Sequence, residues 1–266
     1  MTKTSRSRIW AIVKRHAWVL RRSPHRWFDV LVWPVVDTLL FGSIGVFVSR
    51  SGGGAAHTGV AYMLCGILLF HVIFQSQISV SVGFLEEAWS RNMLNLMTTP
   101  LTELEYVLGV ALFGMAKLIL GVGVVALACW VCFSFAITSA GWGILPVIVI
   151  LLAVGWMISL FVIGLVLRLG PSAEVLAWGI LFVIMPLSGV FTPVSSLPGP
   201  LQPIARILPT TQAFIVGRAL VAGQAMEWGR LGLAAVGTAV ATVLALVFVL
   251  RMLTMFRDRG FVTRFS

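Results

Sequence analysis

Long apolar runs are the feature that most constrains this chain. Six of them reach the length of about 20 residues that a transmembrane helix needs. They cover about 28–49, 58–84, 106–136, 144–167, 175–191 and 230–253. Charged residues make up only 11% of the 266 residues, against about 25% in soluble domains. The sequence therefore predicts an all-α, polytopic membrane protein with six transmembrane helices, and it lacks the alternation of a membrane β-barrel.

Basic residues are unevenly distributed between the two predicted sides. With the N-terminus in the cytoplasm, the inner segments hold 14 Lys and Arg residues and the outer segments hold four. Cytoplasmic loops carry the excess of Lys and Arg. We therefore expect a multi-pass protein of a cell membrane with both termini in the cytoplasm. The net charge of +10 then indicates contact with anionic lipid rather than with nucleic acid.

The first 27 residues precede the membrane domain, which we place at 28–266. They are basic, and Trp10, Val13, Ala17 and Leu20 recur on one face of a helix. This pattern predicts a cytoplasmic amphipathic helix in the membrane interface. The alternative is a disordered basic tail.

Two of the connections between the predicted spans contain apolar segments that an ordinary loop would lack. The inner one, at 84–109, has an apolar patch with a charged rim, which is typical of a docking helix; the alternative is a helix lying on the headgroups. The patch and rim comprise Glu87, Arg91, Met93, Leu94, Leu96 and Met97. The outer connection, at 192–229, contains apolar pieces at about 201–208 and 211–221. These are too short to cross, so we predict re-entrant or interfacial helices between spans 5 and 6.

The stretch from 186 to 220 resembles the signature of type-2 ABC exporter permeases. The matching residues are Ser188-Gly189, Pro193, Leu197-Pro198, Leu208-Pro209-Thr210 and Arg218. The stretch from 93 to 109 is similar to the coupling helix of that family. The resemblance covers essentially the whole chain. It implies a separate nucleotide-binding ATPase subunit that holds ATP and Mg²⁺, and a pathway built by two permeases, which we expect to be a homodimer.

The sequence shows no catalytic apparatus of its own. It contains no G-x-x-x-x-G-K-[ST] loop for phosphates, and its four histidines are scattered. Its three cysteines lie in apolar runs and complete no metal-ligand cluster. We therefore expect a transport subunit that is not itself an enzyme and that carries no cofactor or metal.

Polar residues inside the predicted spans are the other candidates for function. Asp37 lies roughly 14 Å into span 1 and Lys117 roughly 16 Å into span 3, counted at about 1.5 Å per residue. Their matching depths predict an intramembrane ion pair, with proton or ion coupling as the alternative. His71, Gln75 and Ser79 form one stripe on span 2. The stripe provides either hydrogen bonds between helices or the lining of a substrate path.

The resemblance favours the path, because spans 2 and 5 flank it in that family. Span 5 would then contribute Phe182, Met185 and Phe191. We expect an amphipathic drug or a lipid-like substrate. A lipid-linked polysaccharide is the alternative, but Tyr62 and Tyr106 are the chain's two tyrosines and offer few sugar platforms. An ion-coupled carrier is a further alternative, although we find none of the internal repeats common in carriers.

Overall fold

The computed structural model describes residues 3–51, 56–89, 102–170 and 174–258. These ranges contain helices and no strand, which confirms the all-α prediction. The α-helices are α1 (Lys3–Arg22), α2 (Pro24–Trp27), α3 (Trp33–Ser51), α4 (Ala56–Trp89), α5 (Glu103–Phe133), α6 (Ile144–Leu169), α7 (Glu174–Leu187), α8 (Leu201–Ile207), α9 (Pro209–Val221) and α10 (Trp228–Asp258). A π-helical turn at Phe28–Val32 joins α2 to α3, and 3₁₀ turns occupy Ile137–Gly143 and Val194–Ser196.

Five helical segments within the described ranges are long and apolar enough to cross a membrane. They are Val30–Arg50, Gly59–Leu85, Leu108–Phe133, Ile137–Leu169 and Trp228–Met255. These segments correspond to predicted spans 1, 2, 3, 4 and 6. The polytopic membrane fold is therefore confirmed.

The fifth predicted span is shorter than its apolar run. Helix α7 has 14 residues and ends at Leu187, so it is about 21 Å long and shorter than the hydrocarbon core of about 30 Å. The Val190 N–H bonds the Met185 carbonyl and the Gly189 N–H bonds the Pro186 carbonyl. Gly189 has a φ of +70°, so these bonds form a Schellman turn that ends the helix. The sequence predicted a helix that continues to residue 191, because the residues after this turn are apolar as well.

The outer connection folds into the two short helices that its sequence predicts. Helices α8 and α9 meet at a bend of 74°. Leu208 stands between them in an extended conformation, as expected for a residue that precedes proline. Pro209 then begins α9, where a missing N–H is tolerated. If the bent pair counts as one span the described chain has six, so the count of six stays a prediction.

Helix α4 is the centre of the bundle. Within its membrane window 83% of the residues are buried, against 22–28% for the windows of α3, α5 and α10. It packs against α3, α5 and α6 and also contacts α7 and α9. The contact with α6 is close: a Cβ atom added to Gly155 would lie 1.8 Å from Ser76 Oγ and 2.7 Å from the Ile73 carbonyl oxygen. Ser159 of α6 also donates a hydrogen bond to the Gln77 carbonyl at 2.8 Å.

The N-terminal segment forms the predicted helix, and that helix has two apolar faces. Trp10 is 57% exposed and Ala17 is also exposed, which leaves part of the predicted stripe free to contact lipid. Ile9 and Ile12, which the sequence analysis did not single out, are buried against α5. A Cβ atom on Gly109 of α5 would lie 2.7 Å from the Ile12 side chain. Helix α1 is therefore docked on the membrane bundle.

An ion pair and a helix cap reinforce this docking. Arg8 Nη1 lies 3.5 Å from Glu105 Oε2. Glu105 also forms a capping box with Thr102 at the start of α5. The hydrogen bond from the Thr102 backbone N–H lowers the pKa of Glu105. A lowered pKa means that the ionised Glu105 carboxylate stabilises the folded state. This contribution to folding stability is lost as the pH falls through the lowered pKa.

The α4–α6 contact gives a testable prediction. Gly155→Ala should lower the free energy of unfolding by about 1–3 kcal/mol, because its methyl group overpacks the interface. Gly123→Ala is the matched control, since nothing lies within 4 Å of a Cβ atom there. Thermal unfolding of the purified protein in detergent measures both. Equal melting temperatures for the two variants would show that α4 and α6 are not packed this closely.

Candidate functional site

The polar stripe of α4 is buried inside the chain. His71 and Gln75 are each 1% exposed. Gln75 faces α5, where a Cβ atom on Gly121 would lie 3.0 Å from Gln75 Nε2. Ser79 faces the same helix, where a Cβ atom on Gly114 would lie 3.3 Å from Ser79 Cβ. The two glycines therefore make room for these side chains at the α4–α5 contact.

The predicted ion-pair residues lie beside this stripe. Asp37 Oδ2 of α3 is 3.9 Å from His71 Nε2. Lys117 is three residues after Gly114 and four before Gly121, so it belongs to the same face of α5. The fold thus places Asp37 beside the stripe, in a polar cluster between α3, α4 and α5, and helix periodicity puts Lys117 on the face of α5 that contacts it. The pairing of Asp37 with Lys117 stays a prediction, and His71 is a second candidate partner for the carboxylate.

Several acceptors and donors of the stripe make no hydrogen bond to the described residues. They are His71 Nε2, Gln75 Oε1 and Ser79 Oγ. His71 Nδ1 lies 3.0 Å from the Ile67 carbonyl oxygen, within its own helix. A buried polar atom without a partner is costly, so these atoms call for bound water or for a partner brought in by motion of the helices. Lining of a substrate path by this stripe stays a prediction.

The span 5 candidates lie at different places around α7. Phe182 is 63% exposed and points away from the chain. Met185 is half-buried. Phe191 lies beyond the end of α7 and stacks on Phe41 of α3 with 3.8 Å between ring centroids. Helix α7 also contacts α4 through Trp178 and Phe74, whose ring centroids are 5.7 Å apart.

The predicted docking patch cannot be compared with the structure. Arg91, Met93, Leu94, Leu96 and Met97 lie outside the described residues. Glu87 belongs to α4, but its side chain is not described. Their coupling role stays a prediction.

A second cluster joins the signature residues of the outer connection to α4. Arg218 of α9 donates from Nη2 to the Val190 carbonyl at 2.6 Å and from Nε to the Tyr62 carbonyl at 3.4 Å. Its guanidinium carbon lies 3.6 Å from the centroid of the Tyr62 ring, a cation–π contact. The Tyr62 hydroxyl in turn donates to the Gly189 carbonyl at 3.2 Å. Arg218 therefore connects α4, α9 and the turn after α7.

Two further contacts tighten this connection. A Cβ atom on Gly66 of α4 would lie 2.0 Å from the Val190 carbonyl oxygen, so only glycine lets the turn approach α4 this closely. The hydroxyls of Ser188 and Thr210 lie 2.5 Å apart. The sequence identified Ser188, Gly189, Thr210 and Arg218 as signature residues. It gave no sign of Tyr62 as their partner, because Tyr62 lies on a different span.

The structure also shows what surrounds these clusters. A cavity of about 740 Å³ adjoins the Arg218 cluster. A smaller cavity of about 500 Å³ lies near the ends of α3 and α5. Among the residues that the structure describes, no group of three or more His, Cys, Asp or Glu side chains could hold a metal ion.

The polar cluster gives a testable prediction. Asp37→Asn and Lys117→Met should each lower stability by about 3–5 kcal/mol if the charges pair, since each leaves the other charge buried and alone. The double variant should then lose less than the sum. The measurement is a double-mutant cycle of Asp37→Asn and Lys117→Met, followed by unfolding in detergent. A second cycle, run in parallel, combines Asp37→Asn with His71→Gln. Additive losses with Lys117 would refute the predicted pair, and coupling with His71 alone would assign the carboxylate to the histidine.

Comparison with known proteins agrees with this architecture. The family model described as ABC-2 type transporter matches residues 7–222, which run from α1 to the end of α9. A search of curated proteins found no match. The matched range includes the central helix α4, the polar cluster and the Arg218 cluster. The chain belongs to the ABC-2 type transporter family, and it is a membrane permease subunit of an ABC transporter.

Proposed function

We propose that this permease is the membrane subunit of an ATP-driven exporter in a bacterial inner membrane. It would move an amphipathic drug or a lipid-like substrate outward. The observation that carries the proposal is the family match over residues 7–222, since subunits of this kind transport while a partner ATPase subunit hydrolyses ATP. ATP and Mg²⁺ would bind that partner and not this chain. The family membership also favours ATP-driven transport over the ion-coupled carrier.

Several contacts support an amphipathic substrate over a lipid-linked polysaccharide. Sugar binding would use aromatic faces and free hydroxyls, but the Tyr62 ring is covered by Arg218 and its hydroxyl bonds the Gly189 carbonyl. The exposed side chains of α7 include Val175, Leu176, Phe182 and Val183. Apolar and aromatic side chains of this kind suit hydrocarbon or drug rings.

A homodimer is the assembly that we propose for the pathway. Helix α7 is short, and it leaves Phe182 exposed toward the outside of the chain. A second copy facing this side would cover it and place two sets of α4 and α7 around one path. Closed two-fold dimers are the commonest oligomers. Measurement of the mass of the detergent-solubilised permease, with and without the ATPase subunit, tests the stoichiometry.

The proposed orientation in the membrane, which rests on the distribution of Lys and Arg, gives a testable prediction. Arg206 on α8 and Arg168 at the end of α6 are both exposed, so each position is accessible to a reagent. In a background with Cys65, Cys129 and Cys132 replaced by alanine, Arg206→Cys should react with a membrane-impermeant maleimide in intact cells. Arg168→Cys should react only after the membrane is opened, because the excess of basic residues belongs inside. The reverse pattern would contradict the proposed orientation and outward transport.

Coupling to the ATPase gives a second prediction. Leu94→Glu places a charge in the apolar docking patch and should release the ATPase subunit or uncouple ATP hydrolysis from transport, because burying an unpaired charge at an interface is unfavourable. Ser7→Glu is a control for a new carboxylate on an exposed helix surface away from the patch, since Ser7 is exposed on α1 and lies outside the spans. Co-purification and substrate-stimulated ATP hydrolysis are the measurements. Unchanged co-purification and coupled transport in Leu94→Glu would favour a helix that lies on the headgroups without a partner.

A further inference from the structure

The cavity beside Arg218 has the size and position of a ligand site. Its volume of about 740 Å³ falls within the range of roughly 300–1,000 Å³ typical of small-molecule pockets. It lies between the first turns of the membrane part of α4, the segment after α7 and helix α9. It is separate from the polar cluster around His71, whose residues do not line it.

Arg218 brings unused hydrogen-bond donors to this cavity. The guanidinium has five N–H groups, and its two hydrogen bonds to carbonyl groups come from Nε and Nη2. Nη1 makes no hydrogen bond to the described residues. It is also not one of the solvent-inaccessible polar atoms that lack a hydrogen-bond partner. Because Arg218 lines the cavity, these remaining N–H groups are available to a ligand there.

Within the described part of the chain, no carboxylate balances the charge of Arg218. No Asp or Glu oxygen of the described residues lies within ion-pair distance of its guanidinium. The acidic residue that lines the same cavity is Glu227, and its carboxylate is paired with Arg230. The cavity wall therefore carries one uncompensated positive charge in partly buried surroundings, where an anion is attracted more strongly than in water.

The rest of the wall is mainly apolar. Pro193 and Val194 contribute from the segment after α7, and Ile215, Ala219 and Val221 contribute from α9. The Tyr62 and Ser188 hydroxyls are engaged, with the Gly189 carbonyl and with Thr210. Gln224 adds an amide to the wall, and Arg218 supplies the cation, next to surface that suits a hydrocarbon chain.

We propose that this cavity binds an amphiphile with an anionic carboxylate or phosphate head group. The head group accepts hydrogen bonds from Arg218 Nη1, and the chain lies against Val194, Ile215 and Val221. This inference goes beyond the proposed function, because it concerns binding by the permease without the ATPase subunit. It therefore holds or fails independently of the direction and energy source of transport.

The test uses the full-length permease in nanodiscs of uncharged lipid. The probes are fluorescent dansylaminoundecanoate and its methyl ester, which keeps the chain and removes the charge. We expect the carboxylate to bind at least about tenfold more tightly than the ester, the size of effect that one charge-assisted hydrogen bond provides. Arg218→Gln should abolish this preference. Arg206→Gln is the matched control, since Arg206 is an exposed cation on α8 that does not line the cavity.

Arg218→Gln also removes the contact with Val190, so a second variant tests the cavity without it. Ala222 is exposed and lines the cavity just after α9, and Ala222→Trp should weaken binding of both probes at least about tenfold by filling it. Ala116→Trp, on an exposed position of α5, should leave binding unchanged.

Three results would overturn the proposal. The first is equal affinity of the wild-type permease for the carboxylate and the ester. The second is unchanged binding in Ala222→Trp. The third is displacement of the probe by acetate or inorganic phosphate at the concentration at which dodecanoate displaces it, which would show a site for small anions instead of an amphiphile.

Discussion

The hydrocarbon core of a bilayer offers no hydrogen-bond partners, and the structure of this permease follows from that constraint. Each polar side chain within a span must face another helix or a wet cavity. Helix α4 carries more buried polar side chains than any other described span, including His71, Gln75 and Gln77, and it is also the most buried span. The apolar spans α3, α5 and α10 stand around the bundle with most of their window residues exposed. The polar side chains of α4 therefore require its central position, where other helices surround them.

Glycine and a helix-ending turn let the remaining elements approach α4. Gly155 on α6 and Gly121 on α5 leave space for Ser76 and Gln75. The Schellman turn at Gly189 directs the Val190 carbonyl to Arg218. These contacts join α4 to α9 and to the end of α7. A shift of α9 would have to break or carry along the Arg218 contacts.

Apolar run length was sufficient to predict five of the spans to within a few residues, except that the fourth begins earlier, with the 3₁₀ turn at Ile137. Hydropathy could not locate the end of α7, because that end depends on the backbone of Gly189 and not on polarity. The residue types at Asp37, Lys117 and His71 marked them for function, yet their grouping between three helices required the packing. The sequence likewise could not predict the Arg218–Tyr62 contact, because the two residues are 156 positions apart.

We propose that this permease moves an amphiphile by using ATP hydrolysed on a partner subunit. The most direct measurement uses proteoliposomes that contain the permease and the ATPase subunit, with the nucleotide-binding side facing outward and a labelled long-chain amphiphile added outside. We expect the label to accumulate in the lumen only when ATP and Mg²⁺ are supplied. Accumulation driven by an imposed proton or sodium gradient without ATP would contradict the claim.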